Sequence, residues 1–171
     1  PMYDEAAVAG RAIDAACRLR WPPGRLEVQV LDDSTDATRD IVDERVAAWR
    51  PRLGLDTDHR TIPHELDWLR TAVHLNKGCY RGQETIARVH NMGKPPRRLV
   101  LLHLDGSEGL LPEHGDPVTL DGRVVGWVGS AARHYELGPI ATAVVKRSVP
   151  PEAVLIVGGS IAASQELVVL P

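Results

Sequence analysis

The chain predicts an α+β fold: an incomplete helix–strand–helix portion followed by a small antiparallel β-barrel. Three observations carry this expectation. Residues 4–49 read as a helix, a lone strand and a second helix. Residues 98–170 hold several short strand patterns, separated by Gly and Pro turns, with no helix among them. Between the two lies a chemistry-dense motif, ended by the Gly and Pro residues of positions 93–96, where helical register gives way to strand patterns. The boundary is therefore set at residue 94, with a partial α+β portion over 1–94 and the barrel over 95–171.

Composition narrows the class. Apolar residues make up 43% of the 171 positions, enough for a packed core. Phe is absent, so that core must be built from Leu, Val, Ile and Ala. A net charge of -3 argues against a broadly basic nucleic-acid surface, without excluding a local one. No stretch approaches the ~18–20 apolar residues that span a bilayer, so no membrane partner is expected. No secretory signal opens the sequence, and cytoplasm is the expected address. The two cysteines, Cys17 and Cys79, have no CxxC spacing.

In chain order, Asp4 to Arg20 shows an apolar stripe at helical spacing, with Cys17 on its inner face. Trp21-Pro22-Pro23-Gly24 ends that helix. Leu26 to Leu31 alternates as a half-buried strand. Its unpaired edge needs a partner, either a missing N-terminal portion or a neighbouring chain. Asp32 to Asp36 offers N-caps for a helix running to about Trp49, with Ile41, Val42, Val46 and Trp49 inside, and Pro51 stops it. Residues 52–61 read as a polar loop in which Asp56 and Asp58 fit a solvated turn better than a metal site. A short helix is expected over Glu65 to Leu69. The seven histidines are scattered, so zinc is not expected, and two cysteines are too few for an iron–sulfur cluster. In the second half, strands are expected over Arg98–Leu104, Pro117–Leu120, Arg123–Val128, Ile140–Val145, Ala153–Val157 and Leu167–Leu170, with a tight Asp121-Gly122 hairpin turn.

The motif runs from Lys77 to Arg88, Lys-Gly-Cys-Tyr-Arg-Gly-Gln-Glu-Thr-Ile-Ala-Arg. Gly78 and Gly82 permit a tight turn, and a helical pattern starts at Gln83. Cys79 therefore precedes a helix N-terminus, with Lys77 and Arg81 close in sequence. Both the helix dipole and the cations favour a thiolate, the reactive form. The same spacing also fits a small buried apolar residue in a turn.

Lys77-Gly78-Cys79-Tyr80, then Gly82-Gln83-Glu84 and Ala87-Arg88, resembles the signature of the folate-binding YgfZ family, relatives of the glycine cleavage T-protein. The flanks agree: Arg50-Pro51-Arg52-Leu53-Gly54, Thr61-Ile62-Pro63-His64-Glu65, Gly93 and Arg97-Arg98. The likeness covers residues 34 to 171 and is strongest between Arg45 and Val100. Members are about twice as long, so the chain looks like a C-terminal part of such a protein. The resemblance implies an incomplete ferredoxin-like portion before a β-barrel. It implies tetrahydrofolate or a derivative as cofactor, and an accessory role in the assembly or repair of iron–sulfur proteins and the tRNA modification that depends on them. In that role Cys79 is the functional thiol and Lys77 the second catalytic candidate, which with Arg81 and Arg88 would hold the thiolate or meet an anionic partner. Glu65, Tyr80, Gln83, Glu84, Arg88 and Arg97 are the candidate cofactor-binding residues, Arg97 or Arg98 meeting the anionic folate tail. For Gln83 and Glu84, plain helix capping is the competing reading. For Glu65, it is the opening of its own helix.

The alternative is an enzyme, a folate-dependent aminomethyltransferase or demethylase. The glycine-cleavage branch usually carries Arg-Leu-Glu-Ala-Gly where this chain has Arg45-Val46-Ala47-Ala48-Trp49, so Ala47 replaces the acid expected to face folate. A third reading is an interaction module presenting Arg88, Lys94, Arg97 and Arg98 to tRNA.

Overall fold

The computed structural model describes residues 38–107 and 109–169. The expected helix over 4–20 and strand over 26–31, with the pairing proposed for that strand and the inward Cys17, lie outside these residues. Six strands close into an antiparallel barrel: β1 (Arg97–Leu104), β2 (Pro117–Leu120), β3 (Arg123–His134), β4 (Gly138–Lys146), β5 (Leu155–Val157) and β6 (Ile161–Leu167). Their order around the wall is β1-β4-β3-β2-β5-β6, and β6 returns to pair with β1. Closure gives each of these six strands a neighbour on both sides, which removes the free edge that attracts other chains.

Strand alternation sends Val100, Leu102 and Leu104 of β1 inward, onto Val118, Val128, Ala141, Ala143, Val145, Leu155, Val157 and Ala163. Among the described residues, no aromatic ring belongs to this interior cluster. The other face of β1 is apolar as well, because a helical layer covers the barrel's outer wall there. Helix α1 (Thr38–Ala47) lays Val46 on Leu101, Ala132 and Ile140. A 3-10 helix (Pro63–Leu66) lays Leu66 on Leu99 and Val144, beside Trp68 and Trp127. Helix α2 (Leu69–Ala72) follows it, and helix α3 (Gln83–Met92) buries Ile86. A strand covered on both faces reads as a continuous apolar run, Leu99 to Leu102, rather than as an alternation.

Several boundaries differ from the expectation. The short helix expected over Glu65–Leu69 is a 3-10 helix over Pro63–Leu66, stopped by a left-handed Asp67, and the strand expected from Ala153 begins at Leu155. Strand β3 runs through Gly129 and Ser130 to His134, six residues beyond the expected end. A bulge between Val128 and Ala131 absorbs the break, and Ser130 N donates to Thr142 Oγ1 at 2.9 Å. The last strand is Ile161–Leu167, not 167–170: Val168 instead packs on the outer wall, where its apolar character is satisfied without a ladder. Trp49 was expected inside α1, but that helix ends at Ala47 and Trp49 adopts a left-handed φ of 56°, leaving it 41% exposed. The Asp121-Gly122 turn forms as expected, with φ of 50° and 74°, both positive as a type I′ turn requires.

Candidate ligand cleft and the Cys79 loop

Two segments of the helical layer face each other on the barrel's outer wall. One is Ala48-Trp49-Arg50-Pro51, after α1, and the other is Leu66-Asp67-Trp68 with Thr71. Between them, over Val168, lies an open cleft of about 480 Å³. That volume lies within the ~300–1,000 Å³ range of small-ligand sites. Two indoles and one guanidinium at its rim suit a planar ring joined to an anionic group.

Each wall is anchored to the barrel by buried polar chemistry. Behind Pro51, Asp56 is 1% exposed and accepts from Arg52 N at 2.7 Å and from Ser130 Oγ at 3.1 Å. Thr142 Oγ1 donates to its other oxygen. Arg52 Nη2 also donates to Ser130 Oγ at 3.2 Å, and burial lowers the Arg52 pKa against the opposing charge of Asp56. This approach is close enough that a Cβ on Gly129 would stand 2.9 Å from Asp56 Cγ. Before Leu66, Arg97 forks between two carboxylates. Its Nη1 and Nη2 donate to Asp58 at 2.7 and 3.0 Å. Its Nε and Nη2 donate to Glu65 at 3.0 and 2.9 Å. Hydrogen bonds from Arg97 hold the Asp58 carboxyl far below the usual carboxylate range, and those to Asp58 and Glu65 raise Arg97 in turn.

The candidate residues named from the sequence fall into two groups. Glu65 is 1% exposed, is held by Arg97, and also accepts from Ile62 N at 3.3 Å at the start of its own helix. Arg97 is correspondingly occupied by Asp58 and Glu65. Arg98, the other cation considered for a folate tail, is 1% exposed, and its guanidinium donates to Arg147 O and Val149 O at 2.8 and 2.6 Å. Burial lowers its pKa, and it braces the β4–β5 connection rather than facing solvent. Asp56 is buried rather than part of a solvated turn, whereas Asp58, 30% exposed, does shape the loop turn by accepting from Arg60 N and Thr61 Oγ1, and binds Arg97 as well. Among the described residues no group of three or more His, Cys, Asp and Glu could hold a metal ion.

The second group is the Cys79 loop. Cys79 is a free, exposed thiol, so the buried-turn reading of it is corrected. Lys77 and Arg81 are exposed beside it, and Lys77 Nζ sits 5.0 Å from the centre of the Tyr80 ring, a cation–π contact. Gly82 begins α3 with φ of 86° and no side-chain cap, so neither Gln83 nor Glu84 caps the helix in the expected way. Glu84 lies in the first turn, favourable to the helix dipole, and Arg88 is exposed on the second. Gly78 keeps an ordinary φ and has open space around it, so the turn does not depend on glycine there. Helix α3 meets the 3-10 helix through His90 and His64, whose ring centres are 6.3 Å apart. Burial, and then the neighbouring His90, lower the His64 pKa.

Sequence reasoning missed the cleft itself. Trp49 was assigned to the core, and Trp68 and Arg50 were given no role. The signal was the Trp49-Arg50-Pro51 run directly after a helix stop, where side chains cannot follow the helix inward. Ala47, weighed as the lost folate-facing acid, is half-buried against Val46, Leu101, Ala132 and Ile140, while its neighbour Ala48 lines the cleft.

The fold and its covered wall define a small closed barrel domain with a ligand-sized cleft. Residues 97–166 match the family model of the glycine cleavage T-protein C-terminal barrel domain, the span of the six strands. Other likenesses link the chain to short parts of plant proteins of another kind. It is 35% identical over 104 residues to a probable glucomannan 4-beta-mannosyltransferase 6 of Oryza sativa subsp. japonica, covering 59% of this chain and 18% of that protein. It is 53% identical over 53 residues to a probable glucomannan 4-beta-mannosyltransferase 10 of Arabidopsis thaliana, covering 30% of this chain and 10% of that protein. The chain thus spans under a fifth of the length of these relatives. Their mannosyl transfer belongs to proteins whose length is mostly unmatched here. No helix among the described residues is long and apolar enough to cross a membrane.

Proposed function

We propose that this chain is part of a folate-binding accessory protein that supports iron–sulfur enzymes, with Cys79 as its working thiol. The observation that carries the folate part is the cleft of about 480 Å³ on the wall of a T-protein-type barrel. A pterin or aminobenzoyl ring stacks on Trp49 or Trp68, and Arg50 meets the carboxylates of the glutamate tail. The support for the thiol is its exposure on a cation-flanked loop just before α3. Lys77 and Arg88 lie on that exposed surface, with Tyr80 half-buried beside Lys77, and suit contact with a client protein or its tRNA. The enzyme reading, aminomethyl or methyl transfer, shares the cleft and differs in needing turnover.

Titration calorimetry with 5-formyltetrahydrofolate tests the proposal. We expect saturable binding, weakened by Trp68→Ala by about 1 kcal/mol, the scale of one aromatic stacking contact. Arg50→Ala should weaken the polyglutamate form more than the monoglutamate. A folded protein that binds neither form would overturn the folate assignment. The thiol assignment is read separately: Cys79→Ser should lower iron–sulfur enzyme activity in cells while leaving folate affinity unchanged.

A further inference from the structure

We propose that Arg97 is a positioning residue of the cleft, holding the Trp68 wall in place through Asp58 and Glu65. As far as it concerns folate, this rests on the reading above. The placement of the wall itself does not.

Arg97 opens β1, and Leu99 stands two residues further along the same strand. Glu65 and Leu66 are likewise adjacent in the 3-10 helix. The guanidinium takes Glu65 while Leu99 takes Leu66, so one strand grips one turn at two neighbouring points, one polar and one apolar. Asp58, on the same guanidinium, ties down the loop that enters the turn. Trp68 N then donates to Pro63 O at 3.0 Å, which carries the fixed turn directly into the cleft wall. The opposite wall has its own anchor, Asp56 on Ser130 and Thr142 of β3 and β4. The separation between the two walls is therefore set by where two buried carboxylates meet the barrel. A planar five-donor fork can serve two carboxylates at once, whereas a lysine ammonium is a single point charge. Without the fork, Glu65 would be a buried carboxylate with no cation, and its turn would have to move toward water.

Hydrogen exchange read by mass spectrometry tests this on the intact chain, with calorimetry against 5-formyltetrahydrofolate beside it. Three variants are compared: Arg97→Lys, Arg97→Gln and Asp58→Asn. In Arg97→Gln, exchange over residues 61–69 should rise about tenfold while β3 and β4 stay within about twofold, the signature of local opening. Folate affinity should fall by about tenfold, a difference of 1.4 kcal/mol. Arg97→Lys should recover part of both, and Asp58→Asn should show the same pattern more weakly. Unchanged exchange over 61–69, or an equal rise in β3 and β4, would overturn the proposal. If Arg97→Gln does not fold, Asp58→Asn decides by the same contrast. If the parent chain binds no folate but the exchange contrast holds, positioning stands and the folate assignment falls.

Discussion

Asp58 shows how one loop residue can couple stability to pH. Arg97 depresses its carboxyl well below the ordinary value. A depressed carboxylate stabilises the fold above the unfolded pKa of ~3.9, and that contribution is lost as pH falls through the folded value. Asp58→Asn should therefore be less stable than the parent at pH 7 by about 1 kcal/mol, modest because the side chain is 30% exposed and solvent screens the pair. Urea titrations at falling pH should show the gap closing below pH ~3.9. A gap that stays constant down to strong acid would show that the ion pair is not its source. Asp58 also marks a limit of reading one residue at a time. Two aspartates two positions apart in a polar loop look like a solvated turn, because their partners lie far along the chain. Arg97 is 39 residues away and Thr142 is 86 from Asp56.

At the level of elements, glycine decides how closely the layers approach. Gly129 and Gly126 sit in β3 where another backbone or side chain arrives at contact distance. A Cβ at Gly126 would stand 2.9 Å from Val145 Cα, and one at Gly129 would press on Asp56. Gly129→Ala should cost about 2 kcal/mol, the scale of overpacking a tight site, and should loosen the Arg52–Asp56 loop first. In the loop leading into α3 the expected order is Gly82→Ala, strained by its positive φ at about 1 kcal/mol, above Gly78→Ala, close to neutral. Thermal melts of the three variants check the ranking, and a destabilised Gly78→Ala would contradict it. Elements were legible where local chemistry chose them. Asp121-Gly122 specified its hairpin, and Gln83 began its helix as the spacing indicated. Elements were misread where tertiary contacts chose them. Ser130 stays in β3 because Thr142 accepts its amide proton, and Val168 leaves the ladder because the outer wall offers it burial.

For the molecule as a whole, barrel and wall form one packing problem. Leu99 to Leu102 serves the interior and the helical layer on alternate side chains, so the barrel was legible as a strand run but its covering was not. The cleft belongs to that covering, and so escaped a reading made strand by strand. Closure also fixes where the barrel's chain enters and leaves. Val100 pairs with Leu167, so the first strand's beginning and the last strand's end lie side by side. Tension applied at positions 97 and 167 would load the β1–β6 ladder one hydrogen-bonded pair at a time, like a zipper. Tension applied at positions 97 and 140 would instead act on opposite ends of β1 and its neighbour β4. In a single-molecule pulling experiment the first geometry should yield at lower force than the second. A domain joined in this way gives little mechanical resistance at its entry, however well its interior is packed.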